Sequence, residues 1–176
     1  IFPDYSADVN TLNLIDRIDQ RTASGKPVTE AIILASLYLS SFLQKLCQQP
    51  DLDFAAAMHQ ANELLEPHRA HYHIAHGIRH QAREMMLGIY RFKLGRGRRG
   101  EKRFLRHPAT PAAFELFNLW HEVSGEDQEL VAAWQEVLSG RENETAKKQT
   151  QGSRPGGGQR RRRSRRRATG KRQDKV

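Results

Sequence analysis

Eight cations fall within the sixteen positions from Arg91 to Arg106: Arg91, Lys93, Arg96, Arg98, Arg99, Lys102, Arg103 and Arg106, with Glu101 as the only acid. Guanidinium and ammonium groups at this density are suited to gripping phosphates. Gly95, Gly97 and Gly100 interrupt the run, and glycine lets a backbone approach a polyanion closely. Phe92 and Phe104 stand among the cations, where aromatic faces can stack on bases. The alternative is that both rings belong to the core and the charges are merely solvated. Gly95–Gly100 matches the dinucleotide fingerprint letter for letter. That fingerprint, however, needs a strand before it and a helix after it. Here a helix precedes, and Arg fills all three variable positions, so the segment reads as a basic, phosphate-tracking loop.

A second polycation closes the chain. From Lys147 to Val176 there are thirteen Lys or Arg against one acid, Asp174, a net charge of +12. The whole chain carries +9, so residues 1–146 carry −3. The tail holds Arg160, Arg161, Arg162, Arg163, Arg165, Arg166 and Arg167 behind Gly156, Gly157 and Gly158. Such a segment has almost nothing apolar to bury against its ordering entropy, which predicts disorder. A flexible polycation binds polyanions by releasing their condensed counterions. Nucleic acid is therefore the expected partner. A solubilising tail and a membrane-surface anchor are the weaker readings, the second lacking a lipidation motif or an adjacent apolar helix.

Other residue sets carry less chemistry. Five histidines fall between His68 and His80, and His76 and His80 are four apart, the spacing of a metal pair on one helix face. Few acids flank them, so a polar groove shared with Arg79 and Arg83 is the preferred reading. Asp51 and Asp53 have the spacing of a carboxylate pair for metal-assisted transfer. Their place after Pro50, at a helix start, makes them caps instead. No phosphate loop and no Ser/His/Asp set is present, so no catalytic and no metal residue is assigned. Cys47 is alone, which fits a reducing compartment, and with no visible export signal the expected location is cytoplasmic. The longest apolar stretch, Ala31 to Leu43, is short for a bilayer span and holds Ser36, Ser40 and Ser41; no membrane partner is expected.

The elements that must position these residues are helical. Strand alternation is absent, and apolar residues recur at helical spacing. Helices are predicted over 10–22 (Leu12 and Ile15 inward, with Leu14 and Ile18), 28–48, 54–65 with a stop at Pro67, 71–94, 111–123 with Thr110 as cap and Pro111 first, and 126–138. A short turn is predicted near 102–107. The second helix is apolar around much of its circumference and should be the most buried. The last should bury Leu130, Val131, Trp134, Val137 and Leu138. The fold class is all-α: a bundle of about six helices over residues 1–140, with a disordered Arg-rich tail over 141–176.

From Ile78 onward the order of residues resembles a known family. Ile78-Arg79 and Arg83 on a helix precede the basic run Leu94 to Arg99. His107-Pro108, the helix Ala112 to Leu116, Trp134 and the Arg-rich tail follow. This order resembles the C-terminal half of the bacterial poly(A) polymerases, in the nucleotidyltransferase superfamily that includes the CCA-adding enzymes. Ile1-Phe2-Pro3 resembles the point where that family leaves its neck region, and Gly25-Lys26-Pro27 leading into a buried helix also fits. Two positions depart from the pattern: Ala109-Thr110-Pro111 stands where a basic-aromatic pair follows the His-Pro, and Ala133 replaces a second Trp.

The resemblance implies an RNA-binding body whose catalytic head, lying upstream, adds AMP from ATP to RNA 3′ ends. ATP and Mg2+ are implied for the full-length enzyme, and no cofactor for this chain. RNA is the implied partner, and RNA-decay proteins are candidate partners of the tail. The expected RNA-binding residues are Arg79, Arg83, Arg91, Arg96, Arg98, Arg99, Lys102 and Arg103, together with the tail arginines. A free-standing helical RNA- or protein-interaction module, and the C-terminal part of a CCA-adding enzyme, remain alternatives.

Overall fold

Seven helices account for the regular structure in a computed structural model that describes residues 8–49, 52–70 and 73–151. Helix α1 spans Val9–Ala23, α2 Glu30–Gln48, α3 Phe54–Ala70, α4 His76–Lys93, α5 Glu101–Leu105, α6 Thr110–Ser124 and α7 Gln128–Gln151. No strand occurs among the described residues, and the all-α class holds. The chain divides into a compact unit, Ile1–Arg141, and a second unit, Glu142–Val176. The tail arginines from Arg160 to Arg167 lie outside the described residues.

Side-chain caps set the starts of the first three helices. Asp8 caps α1 by accepting the Thr11 N–H at 2.7 Å, and Thr29 caps α2 through Ile32 N–H at 3.3 Å. Asp53 caps α3 by accepting the Ala56 N–H at 2.7 Å, as its position implies; Asp51 lies outside the described residues. Burial of Asp8 raises its carboxyl pKa, but hydrogen bonds from the Ser40 hydroxyl and the Thr11 amide outweigh that and hold it below its ordinary value.

Helix α2 is the axis of the bundle. It packs against α1, α3 and α4, and α4 in turn packs against α3 and α6. Ile32, Ala35, Leu39 and Phe42 on α2 meet Leu14 and Ile18 of α1, and Met85, Met86, Ile89 and Phe92 of α4, in one buried cluster. Ala57 and Ala61, four apart on α3, are fully buried; their small side chains let α3 lie close to its neighbours. Leu116, Phe117 and Trp120 close the core from α6. Arg17 with Glu122 at 2.6 Å, and Arg21 with Glu115, tie α1 to α6. By length and hydropathy α2 could cross a membrane, but half of it is buried inside the bundle. Its apolar girth is that of a central core helix.

Several expectations change. Leu12 faces solvent, while Leu14 and Ile18 are buried as expected, Ile15 packs half-buried against them and Thr11 takes an inward position. Ile33 is also exposed. Helix α3 runs through Pro67 to Ala70. Proline there removes a bond to the carbonyl four residues back, and that residue, Glu63, is exposed, so water can serve its carbonyl. Helix α4 begins at His76, five residues later than predicted, without a side-chain cap. The cap of α6 is Ala109, and Thr110 is buried inside the first turn, its hydroxyl donating to Phe104 O at 2.6 Å. The turn near 102–107 is a short helix. Helix α7 continues past Leu138 to Gln151, because Gly140 costs a helix only about 1 kcal/mol and good helix formers follow it. Of its predicted inward residues Trp134 is buried, and Leu130, Val131, Val137 and Leu138 are half-buried.

Candidate nucleic-acid interface

The basic loop is shaped by how α4 ends. Gly95, Gly97 and Gly100 adopt φ of +78°, +80° and +87°, the left-handed region that side chains with a Cβ rarely enter. Three such residues in six let the chain turn out of α4 and into α5. Arg98 Nε donates to Leu94 O at 3.2 Å, serving a carbonyl that the helix end leaves open. Phe92 O accepts both Gly95 N–H at 3.0 Å and the indole Nε1–H of Trp134 at 3.1 Å, so α7 clamps the root of the loop. Lys93 adds a second tie, meeting Asp127 at 2.6 Å just before α7.

The single acid of the run is folded back. Glu101 accepts the Gly97 N–H at 2.5 Å and pairs with Arg96 at 3.5 Å. Arg98, Arg99, Lys102, Arg103 and Arg106 remain exposed around it. Arg96 is exposed too, and its guanidinium lies 5.8 Å from the Trp134 ring centroid. Arg91 is half-buried, with its guanidinium 4.7 Å from the centre of the Phe54 ring. The loop and α5 therefore form one continuous cationic surface in which the only counter-charge serves the loop backbone.

Arg79 and Arg83 sit elsewhere. A rise of 1.5 Å per residue puts them roughly 18–24 Å from Gly95 along α4, so they do not adjoin the loop. Arg79 Nε donates to Ile74 O at 3.1 Å, just ahead of the helix. Arg83 pairs with Glu84 at 2.9 Å and reaches His80 Nδ1 at 2.7 Å. Through Glu84, which faces His107 Nε2 at 3.8 Å, this cluster touches the corner between α5 and α6. The rings of His76 and His80 stack, with centroids 6.2 Å apart. Among the described residues no three metal-ligating side chains converge, and the Asp53 carboxylate is committed to its cap.

The two aromatic residues of the basic run part company. Phe92 is fully buried at the middle of a ring cluster, 4.9 Å from Phe104, 5.5 Å from Phe114, 5.4 Å from Phe117 and 5.3 Å from Trp134. It cannot stack on a base. Phe104 is half-buried and lines a pocket of about 460 Å³ between α4, α5 and the start of α6. Phe54, Glu84, Arg91, Arg103 and His107 stand around the same pocket. Sequence reading missed this cavity. Phe54 and Arg91 lie far apart in the chain, and nothing in their spacing announces that they meet.

A family model described as polymerase A arginine-rich C-terminus matches residues 50–168. No curated protein matches the chain. The matched stretch takes in the loop, the pocket, the Trp134 clamp and most of the arginine tail. As it covers about two thirds of the 176 residues, the chain belongs to the polymerase A arginine-rich C-terminus family, the C-terminal region of poly(A) polymerases.

Proposed function

We propose that this chain is the RNA-gripping part of a cytoplasmic poly(A) polymerase, holding RNA while carboxylates upstream of it add AMP from ATP, with Mg2+, to the 3′ end. The observation that carries this reading is the outward-facing cation surface of residues 96–106, whose only acid is turned onto the loop backbone. A surface of this kind contacts phosphate rather than bases, so binding is expected to show little sequence preference. The arginine tail adds counterion release, and hence affinity, without shape. RNA-decay proteins are a second class of partner for that tail.

The experiment is filter binding of single-stranded RNA across a salt series, to the full chain and to a chain ending at Gln151. The full chain is expected to bind more tightly and with the steeper logarithmic salt slope. The shortened chain is expected to keep measurable binding at low salt through Arg96, Arg98, Arg99, Lys102 and Arg103. No binding by the shortened chain at low salt would end the role of the loop. The chain alone is expected to leave RNA 3′ ends unextended in ATP with Mg2+ or Mn2+. Adenylation that disappears on Asp53→Ala would overturn the assignment of that residue as a cap.

A further inference from the structure

The pocket behind the basic loop has two chemically distinct halves. Its floor is apolar and low: Leu87 and Gly88 of α4, Ala113 of α6, with Phe104 as a side wall. Gly88 keeps that floor low, since a Cβ there would lie 2.4 Å from the Ala113 Cβ and push α4 away from α6. The mouth is cationic, with Arg91, Arg103 and His107 against one carboxylate, Glu84. Glu84 is already engaged by Arg83 at 2.9 Å, and among the described residues no carboxylate pairs with Arg91 or Arg103. Phe54 is 40% exposed at the rim with the Arg91 guanidinium over its face.

We infer that this pocket takes one nucleotide unit of the bound RNA, its base against Phe54, Phe104 and the apolar floor and its phosphate against Arg91, Arg103 and His107. The inference rests on the RNA-binding reading above and gives it a fixed point: the loop tracks phosphates, and the pocket holds one base. A volume of about 460 Å³ lies within the roughly 300–1,000 Å³ of small-ligand sites. Inorganic phosphate alone would leave the apolar floor unused. A purely apolar ligand would leave two guanidiniums, Arg91 and Arg103, at the mouth without a counter-charge. A base joined to a phosphate satisfies both halves. Stacking on an aromatic side chain is lost on substitution by Ala with an effect of roughly 5- to 150-fold per base.

The test uses the intact chain and a short oligoadenylate with a dye at its 5′ end and one internal adenine replaced by 2-aminopurine. Anisotropy of the dye reports total binding, and 2-aminopurine quenching reports stacking of that base. The expected result is binding with quenching in the parent chain. Phe54→Ala should lose most of the quenching while the loop and tail preserve the anisotropy change, and Phe54→Tyr should retain both. Arg103→Gln should weaken quenching without unfolding the chain, because its side chain is exposed. AMP should compete away the quenching at concentrations where inorganic phosphate, at matched ionic strength, does not. Quenching untouched by Phe54→Ala and Arg103→Gln, with binding intact, overturns the pocket and leaves the RNA reading standing. Equal competition by phosphate and AMP overturns the base half of the assignment. No anisotropy change at all removes the RNA reading, and this inference with it.

Discussion

Replacing Trp134 with Ala should be the most damaging single change within reach of the loop. The ring is 1% exposed, and it meets Phe92 edge-on at 5.3 Å and Phe104 at 6.1 Å. Its indole N–H donates to Phe92 O at 3.1 Å. Truncating a buried Trp costs about 3–5 kcal/mol through lost transfer energy and the cavity left behind. The hydrogen bond adds little beyond that, because Phe92 O keeps the Gly95 N–H as a partner. Trp134→Phe separates the two effects: it keeps most of the ring volume, loses the bond, and should cost about 1–2 kcal/mol. For a unit of this size each kcal/mol moves the melting midpoint by about 3–4 °C. A circular dichroism melt should therefore fall by roughly 10–20 °C for Ala and by about 3–8 °C for Phe. An unchanged midpoint for Ala would mean that the ring is not packed against Phe92, and that α7 does not clamp the loop.

Changing Arg96, Arg98 and Arg99 together to Ala should lower the logarithmic salt slope of RNA binding by about 2, since each single-strand phosphate contact contributes about 0.7. Stability should change by less than about 1 kcal/mol because the three side chains are exposed, and Lys at the same positions should restore only part of the affinity. Gly88→Ala should destabilise by about 1–3 kcal/mol through the clash with Ala113; adding Ala113→Gly should recover much of it, and a urea double-mutant cycle that shows simple additivity would refute the contact. Asp8 titrates below its ordinary 3.8 in the folded chain, so its stabilising effect is present above that value and is lost as pH falls through the depressed folded pKa. Asp8→Asn, which can still cap α1, should flatten the acid limb of the stability curve below about pH 4 while changing stability little near neutrality.

Sequence reading reached the helices because each carries a stripe that only one period can bury. It placed the loop because Gly and Arg leave nothing to pack. It failed where tertiary contact decides. Leu12 looks as apolar as Leu14, yet α6 meets α1 along the side that carries Leu14, Ile18 and the Arg17 and Arg21 ion pairs. Pro67 reads as a stop, but its lost bond falls at Glu63, an exposed residue. Thr110 reads as a cap by type, and its hydroxyl is drawn instead to the Phe104 carbonyl. Phe92 and Phe104 carry the same signal, and only the ring cluster shows that one is core and the other lines a cavity. The pocket itself comes from α3, α4, α5 and α6, a meeting that no local pattern encodes.

The two polycations of this chain differ in what they can do for RNA. On the proposed function, the tail's run of arginines would contribute affinity through released counterions. The loop cations are held by glycines in fixed left-handed turns, by the Glu101 carboxylate and by the Trp134 clamp. Their ordering cost is met when the protein folds, not when RNA arrives, and this is what preorganisation contributes to binding. On that reading the tail would supply affinity, and the loop would supply a register. If the chain serves chemistry at an RNA end, as proposed, affinity alone would hold the substrate anywhere along its length. The rigid surface, with a pocket sized for one nucleotide behind it, is the part able to fix where along the strand the grip lies.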